Sequence, residues 1–272
     1  MTTAKRRFGQ NFLVDRNVVD RIVTAVAPRS DETIIEIGSG QGALTARLLE
    51  ATGRVVAIEF DRELVPFLRT KFARVANLSL LEADALTTDF RKAIAPELRA
   101  RVVANLPYNI ATAILQRLIE QRDCLSEMVL MLQREVVDRI TAEPGSSDRG
   151  YLSVLVEAYC QAEKLFDVPP QAFRPAPKVW STVVRLRVRP EIAAEVSDEA
   201  LLWQIVSAGF AQRRKTILNN LRAAPESIQE LLEKRGGASI VLCDAGIPPL
   251  RRAETFTLEE WALLVNALLV SS

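Results

Sequence analysis

The feature that most limits what this chain can fold into is an alternation. Through the first two-thirds, short continuous apolar runs rich in β-branched residues take turns with helix-like segments. Residues 33–37, 54–58, 78–82, 101–105 and 128–132 read as strands; 43–51, 62–74, 110–121 and 134–142 read as helices. Strands apolar on both faces need cover on both, and strands separated by helices are joined by crossovers. The pattern therefore predicts a mostly parallel sheet sandwiched between helices. A loop at Pro144-Gly145-Ser146-Ser147 precedes a helix at 151–160 and strands near 164–168 and 181–188, with a proline-rich bend at 169–177 between them. Beyond Pro190 the pattern turns helical, at 199–212, 215–223, 228–235 and 258–269. We place one domain over 1–189 and a second over 190–272.

Composition narrows the chemistry. The chain has no histidine, which removes Ser-His-Asp and Cys-His catalysis and most zinc sites. Its three cysteines, Cys124, Cys160 and Cys243, show no metal-ligand spacing and predict no disulfide framework. No apolar run approaches the roughly 20 residues of a membrane span, and the N-terminal MTTAKRRFGQNF lacks the apolar core of a secretory signal. A cytoplasmic protein with no metal and no membrane contact is expected. The net charge is only +1, but its distribution is uneven. Lys5, Arg6 and Arg7 form one acid-free segment; Arg174, Lys178, Arg185, Arg187 and Arg189 form a second; Arg213, Arg214, Lys215 and Arg222 form a third. Such segregation either builds a basic face for phosphates or leaves three separate solvated faces.

A glycine loop, Glu36-Ile37-Gly38-Ser39-Gly40-Gln41-Gly42, follows the first long strand and precedes a helix. Glycines permit positive φ and let a ligand approach the backbone, while the helix offers free N–H groups. Glu59 ends the second strand, where an acid can bind ribose hydroxyls, and Asp84 lies just past the third. Gly38, Gly40 and Ala43 also satisfy the nicotinamide-binding pattern, so the loop alone fits two cofactor classes. Glu36 tilts the choice: it would repel a pyrophosphate but suits the cationic end of S-adenosylmethionine.

Asn105-Leu106-Pro107-Tyr108 ends the fourth strand, at the edge where such sheets bind ligands. An exocyclic adenine amine is a poor nucleophile because its lone pair is delocalised. The Asn105 amide oxygen and a backbone carbonyl, that of Leu106, can accept its two hydrogens and aim the lone pair at a sulfonium methyl. Pro107 stiffens the turn and Tyr108 can stack on the base. This is catalysis by positioning and electrostatics, and it needs no histidine.

Together these residues resemble the bacterial ribosomal RNA small-subunit adenine dimethyltransferases. The likeness rests on Arg7-Phe8-Gly9-Gln10-Asn11-Phe12-Leu13, the glycine loop, Glu59, Asp84, the tetrapeptide, Phe173-Arg174-Pro175-Ala176-Pro177-Lys178-Val179, Phe210-Ala211-Gln212-Arg213-Arg214-Lys215 and Asp244-Ala245-Gly246-Ile247. The resemblance implies a Rossmann-like class I S-adenosylmethionine methyltransferase sheet, seven-stranded and mostly parallel, with a small helical C-terminal domain that assists RNA binding. It implies dimethylation of two adjacent adenosines in the 3′-terminal hairpin of 16S rRNA, within a small-subunit precursor, by a monomer. By motif position, Gln10, Asn11 and Leu13 close over the cofactor, Gly38 and Gly40 carry its amino-acid end, Glu59 its ribose and Asp84 its adenine. Asn105 bridges cofactor and target amine, and Tyr108 and Phe173 sandwich the flipped base. Arg174, Lys178, Arg213, Arg214 and Lys215 contact RNA. At Ala111 and Ala113 the family more often carries serine and proline.

Three rivals stand beside this reading. A large-subunit adenine methyltransferase of the resistance type shares the catalytic residues, and mapping methylated adenosines in both rRNAs separates the two. A non-enzymatic RNA-binding assembly factor would fail a methyl-transfer assay. A nicotinamide oxidoreductase would fail a titration with S-adenosylmethionine.

Overall fold

The computed structural model describes residues 10–269. Lys5, Arg6 and Arg7, and the Arg7-Phe8-Gly9 start of the first motif, lie outside them. The chain forms two compact units, one reaching to Val137 and resuming at Gln161–Pro190, the other made of Asp138–Cys160 and the chain from Glu191 onward.

In the first unit β1 (Phe12–Leu13) leads into α1 (Arg16–Val26), followed by β2 (Thr33–Ile37), α2 (Ala43–Ala51), β3 (Arg54–Glu59), α3 (Leu64–Lys71) and β4 (Leu78–Glu82). Then come α4 (Phe90–Ile94), β5 (Ala100–Asn105), α5 (Ala111–Glu120) and β6 (Leu125–Gln133), with α6 (Arg134–Ile140) leading out. The chain returns through β7 (Cys160–Val168), β8 (Phe173–Arg174) and β9 (Ser181–Val188). Seven strands form one sheet in the order β4-β3-β2-β5-β6-β9-β7. The pairs β3–β4, β2–β3, β2–β5 and β5–β6 are parallel and β6–β9 is antiparallel. This is the expected mostly parallel, seven-stranded sheet. Order reverses between β2 and β5, so the crevice at their carboxyl ends is where a ligand belongs. All five residues of β2 are buried, as its unbroken apolar run requires.

α1 is the largest element that the strand–helix reading passed over. Asp15 caps it, its carboxylate accepting from the backbone N–H of Asn17 at 2.9 Å and Val18 at 3.3 Å. Val18, Val19, Ile22 and Val26 fall on one face and are buried with Leu44 and Leu48 of α2, Val103 of β5 and Val129 of β6. At the amino edge of the parallel strands, Arg101 pairs with Glu32 at 3.0 Å and Glu127 at 2.6 Å, and Arg185 pairs with Glu127 at 3.4 Å and Glu163 at 2.8 Å.

The second unit is helical: α7 (Tyr151–Tyr159), α8 (Glu199–Gly209), α9 (Ile217–Arg222), α10 (Glu226–Lys234), α11 (Ala238–Asp244) and α12 (Leu258–Leu269). Trp261 is wholly buried against Phe210 and Phe256, and it lies so close to Gly209 that a Cβ there would meet the indole at 2.4 Å. A single cut at 189/190 therefore misplaces residues 138–160. The reason is Arg149, a buried guanidinium that donates to the carbonyls of Phe256 at 3.1 Å and Ala142 at 2.9 Å and pairs with Glu157. A buried cation held this way ties its own segment to the helices around it. Among the described residues no helix is long and apolar enough to cross a membrane, and no cluster of His, Cys, Asp or Glu could hold a metal.

Candidate active site

The loop between β2 and α2 turns where Gly38 takes φ +75°, a conformation costly for a residue with a Cβ. Its N–H donates to Ile58 O at 2.9 Å, which locks the loop onto β3. Glu36, inside β2, is buried beneath the turn. One of its oxygens, Oε2, accepts from both Ser39 Oγ at 3.0 Å and Thr45 Oγ1 at 2.6 Å, joining strand, loop and helix. Burial pushes the Glu36 carboxyl up to about 7; the two hydroxyls pull the other way, and the charge of Glu59 adds to the rise. Lys71 closes the loop from the far side, donating to Gln41 O at 2.8 Å and Gly42 O at 3.1 Å. Its own burial lowers its pKa, and the Glu36 charge partly restores it.

Below the loop opens a cavity of about 240 Å³. Glu59 stands at its wall, its Oε2 accepting from Gly40 N–H and its Oε1 from Asp61 N–H, each at 2.8 Å. Burial raises its pKa against these two bonds. A carboxylate so held still has lone pairs for ligand hydroxyls. Gln10 reaches across to Asp61, Nε2 to Oδ2 at 2.9 Å, and Asn11, Phe12 and Leu13 continue the same wall. Asp84 lies on the opposite stretch, fixed by Leu86 N–H at 2.9 Å. Phe60, 56% exposed, lines the cavity beside Glu59.

The charge of this wall discriminates between ligands. Four acids line the cavity, Glu36, Glu59, Asp61 and Asp84, and among the described residues lining it there is no Lys or Arg. A pyrophosphate would meet four carboxylates and, among the described residues lining the cavity, no cation to offset them. A ligand carrying cationic groups and ribose hydroxyls meets the partners it needs.

Asn105 closes β5 at the same cavity, with Leu106, Pro107 and Tyr108 following. The Asn105 Nδ2 donates to Asn11 O at 3.2 Å, which commits the amide nitrogen and leaves Oδ1 as the acceptor. Leu106 is anchored by its N–H on Met131 O at 3.2 Å. Tyr108 is half-buried and its hydroxyl is bonded to Ser181 Oγ at 2.8 Å. Burial raises the phenol's pKa, so it stays protonated. The helix that follows, α5, starts at Ala111 with Ile110 as a cap that makes no side-chain bond.

Phe173 is placed elsewhere. It is 0% exposed, packed in the core with Leu13, Val18 and Ile22, and it does not line the cavity. The cause is main-chain pairing. Leu13 of β1 faces Phe173 of β8, and the N–H groups of Val14 and Asp15 both bond Ala172 O, at 2.9 and 3.2 Å. These bonds turn the ring into the apolar layer, so the expected Tyr108–Phe173 sandwich is absent from this arrangement.

The basic segments divide in the same way. Arg185 and Arg187 are consumed by Glu127 and Glu163, whereas Arg174 and Lys178 are exposed. In the helical unit Arg213 donates to the carbonyls of Ser147 and Arg149, while Arg214 and Lys215 point to solvent. The residues that sequence reasoning missed are Asp61, Phe60, Ser181 and Lys71. Asp61, two residues past Glu59, was the most legible of them.

Known proteins resemble this chain over most of its length. The family pattern described as "Ribosomal RNA adenine dimethylase" matches residues 1–262. A Ribosomal RNA small subunit methyltransferase A from Hahella chejuensis is 48% identical over 219 residues, 80% of either chain. One from Chromohalobacter salexigens is 45% identical over 97% of this chain and 90% of its own. Among solved structures, 23S rRNA methyltransferase ErmE is 27% identical with a TM-score of 0.70, covering 95% of this chain and 99% of that one. A dimethyladenosine transferase from Plasmodium falciparum shares the fold, at a TM-score of 0.77 and 24% identity over 93% of this chain and 95% of its own. On this likeness over nearly its whole length, the chain belongs to the ribosomal RNA adenine dimethylase family.

Proposed function

We propose that this protein uses S-adenosylmethionine to dimethylate two adjacent adenosines in the 3′-terminal hairpin loop of 16S rRNA, acting in the cytoplasm as a monomer on a precursor of the small subunit. The observation that carries the reading is the placement of Asn105 at the carboxyl end of β5, on the wall of the acid-lined cavity. Support for the small-subunit substrate comes from relatives at 45–48% identity that bear that name, against 27% for the 23S enzyme.

The residues fit the cofactor by chemistry. Glu59 binds ribose hydroxyls while Gly40 and Asp61 hold its carboxylate still. Asp84 meets the adenine amine, and Glu36 supplies negative charge beneath the loop that carries the cationic amino-acid end. Gln10, Asn11 and Leu13 cover the site and exclude water. When bound, S-adenosylmethionine supplies an electrophilic methyl group on a sulfonium. Asn105 Oδ1 and the Leu106 carbonyl take the two hydrogens of the target amine, which draws the nitrogen toward a tetrahedral shape and aims its lone pair. Tyr108, steadied by Ser181, stacks on the extruded base. The helical unit presents Arg214 and Lys215 to RNA phosphates.

Mass spectrometry of both rRNAs after incubation with labelled S-adenosylmethionine tests this. Two dimethylated adjacent adenosines in 16S rRNA are expected. Label in 23S rRNA alone would favour the resistance-type reading, and no label would leave an assembly factor.

A further inference from the structure

Trp180 stands apart from the other two tryptophans. Trp261 is wholly buried and Trp203 packs against Tyr151 and Tyr159, whereas Trp180 is 48% exposed. A half-exposed indole offers a large flat apolar face to whatever binds there. Its position is nonetheless fixed, because Arg134 N–H donates to Trp180 O at 3.0 Å.

That position lies on the catalytic edge of the sheet. β9 runs antiparallel to β6 and pairs its first residue, Ser181, with Gln133, the last residue of β6. Ser181 therefore sits at the carboxyl edge of the parallel strands, the edge where Asn105 ends β5 next to Met131. Ser181 holds the Tyr108 hydroxyl, and Trp180 is its immediate neighbour in the chain, about 3.8 Å away between Cα atoms.

The surrounding charge selects the occupant. From Pro169 to Ser181 the sequence contains no acid, and Arg174 and Lys178 are both exposed. Among the described residues neither has a carboxylate partner, in contrast to Arg185 and Arg187. Val179, 44% exposed, extends the apolar surface. An open aromatic face with two uncompensated cations matches single-stranded nucleic acid, in which each base brings a π-face and each link a phosphate.

Resting on the reading of this site as an RNA adenine dimethyltransferase, we propose that Trp180 is a stacking platform for an unpaired base neighbouring the target adenosine, with Arg174 and Lys178 on the flanking phosphates. Extrusion of the target leaves its neighbour unstacked, and Trp180 gives that neighbour a new partner.

Two measurements test it. In steady-state methylation, Trp180→Ala should raise KM for RNA by roughly five- to a hundredfold while S-adenosylmethionine binding is retained, and Trp180→Phe should recover most of the loss. The Trp180→Ala loss should leave the salt slope of RNA binding unaltered, whereas Lys178→Ala should lower it by roughly 0.7. In fluorescence, a short single-stranded RNA with two adjacent adenosines should quench the wild-type emission and leave that of Trp180→Phe unquenched. An unchanged KM for RNA in Trp180→Ala, or equal quenching in wild type and Trp180→Phe, overturns the platform. Naked RNA that fails to quench the wild type also overturns it, and points to a protein on this surface. A wild type that methylates neither rRNA defeats the reading of the function instead, and the quenching titration still decides the role of Trp180.

Discussion

Replacing Glu36 by glutamine separates what the fold needs at this position from what the ligand needs. Both hydroxyl bonds at Glu36 end on one oxygen, Oε2, so a glutamine can present its carbonyl to Ser39 and Thr45 and place its NH2 where Oε1 lay. The substitution can keep both hydroxyl bonds while removing the charge and its titration. The ordinary value of the group is 4.5 and its folded value is about 7, so between those limits the folded chain holds a proton that the unfolded chain has released. Stability from this group is fully present below about 4.5 and is lost as pH rises through about 7. At 1.36 kcal/mol per pKa unit the whole effect is about 3 kcal/mol, and most of it falls between pH 5 and pH 8. The other titrating groups are shared by the two proteins and cancel in the difference, save Glu59 and Lys71, whose charges interact with that of Glu36. Urea unfolding followed by circular dichroism at about pH 5 and about pH 8 should show Glu36→Gln gaining roughly 2–3 kcal/mol on the wild type across that interval.

The same residue should move oppositely in binding. A cation seated on the glycine loop favours the charged carboxylate. Wild-type affinity for S-adenosylmethionine should therefore rise with pH toward about 7 and then level, while Glu36→Gln binds more weakly with little pH dependence. A stability difference between variant and wild type that is the same at both pH values would refute the reasoning, since it would mean that Glu36 does not titrate between them.

Three further outcomes are expected. Asn105→Ala should lower the single-turnover rate by about 10²–10³ with modest loss of RNA affinity, as for removal of one preorganised polar group at a reacting atom; a near-normal rate would sink its role. Phe173→Ala, which truncates a wholly buried ring, should cost about 3–5 kcal/mol of folding free energy and lower the melting temperature; unchanged melting with abolished methylation would return Phe173 to the base-binding site. Arg214→Ala with Lys215→Ala should flatten the salt dependence of RNA binding by roughly 0.7 of a slope unit per lost contact, and an unaltered slope would make them a solvated face.

What was legible in the sequence depends on where each signal is stored. The run at 33–37 and the helix at 43–51 were readable to the residue, because a strand buried on both faces and a helix after a glycine loop write their boundaries locally. β6 begins at Leu125, before the expected 128, because Glu127 looks like loop until Arg101 and Arg185 neutralise it. β7 begins at Cys160, before the expected 164, since an edge strand with exposed polar residues shows no burial pattern. The pairing of β1 with β8 joins two residues to two, too few for any periodicity to appear. It nevertheless decided the fate of Phe173.

The site shows the same division between residue type and residue state. The acids at 36, 59 and 84 and the tetrapeptide at 105–108 announce a cavity for a cation and a flat amine-bearing base, and they do line one cavity. A sequence gives the identity of Glu36 but not its ionisation, which follows from burial under a loop whose glycines are needed for the turn and whose hydroxyls compete for its oxygen. Charge counting failed for a related reason. Arg185 and Arg187 look as free as Arg174 and Lys178 until strands distant in sequence bring Glu127 and Glu163 beside them. An arginine already paired with a carboxylate must give up that pairing to bind a phosphate, so Arg185 and Arg187 have less to gain from RNA than a cation without a partner. Arg174 and Lys178, on the proline-rich bend beside Trp180, have no carboxylate partner among the described residues, and Ser181 next to Trp180 sits at the carboxyl edge where Asn105 ends β5.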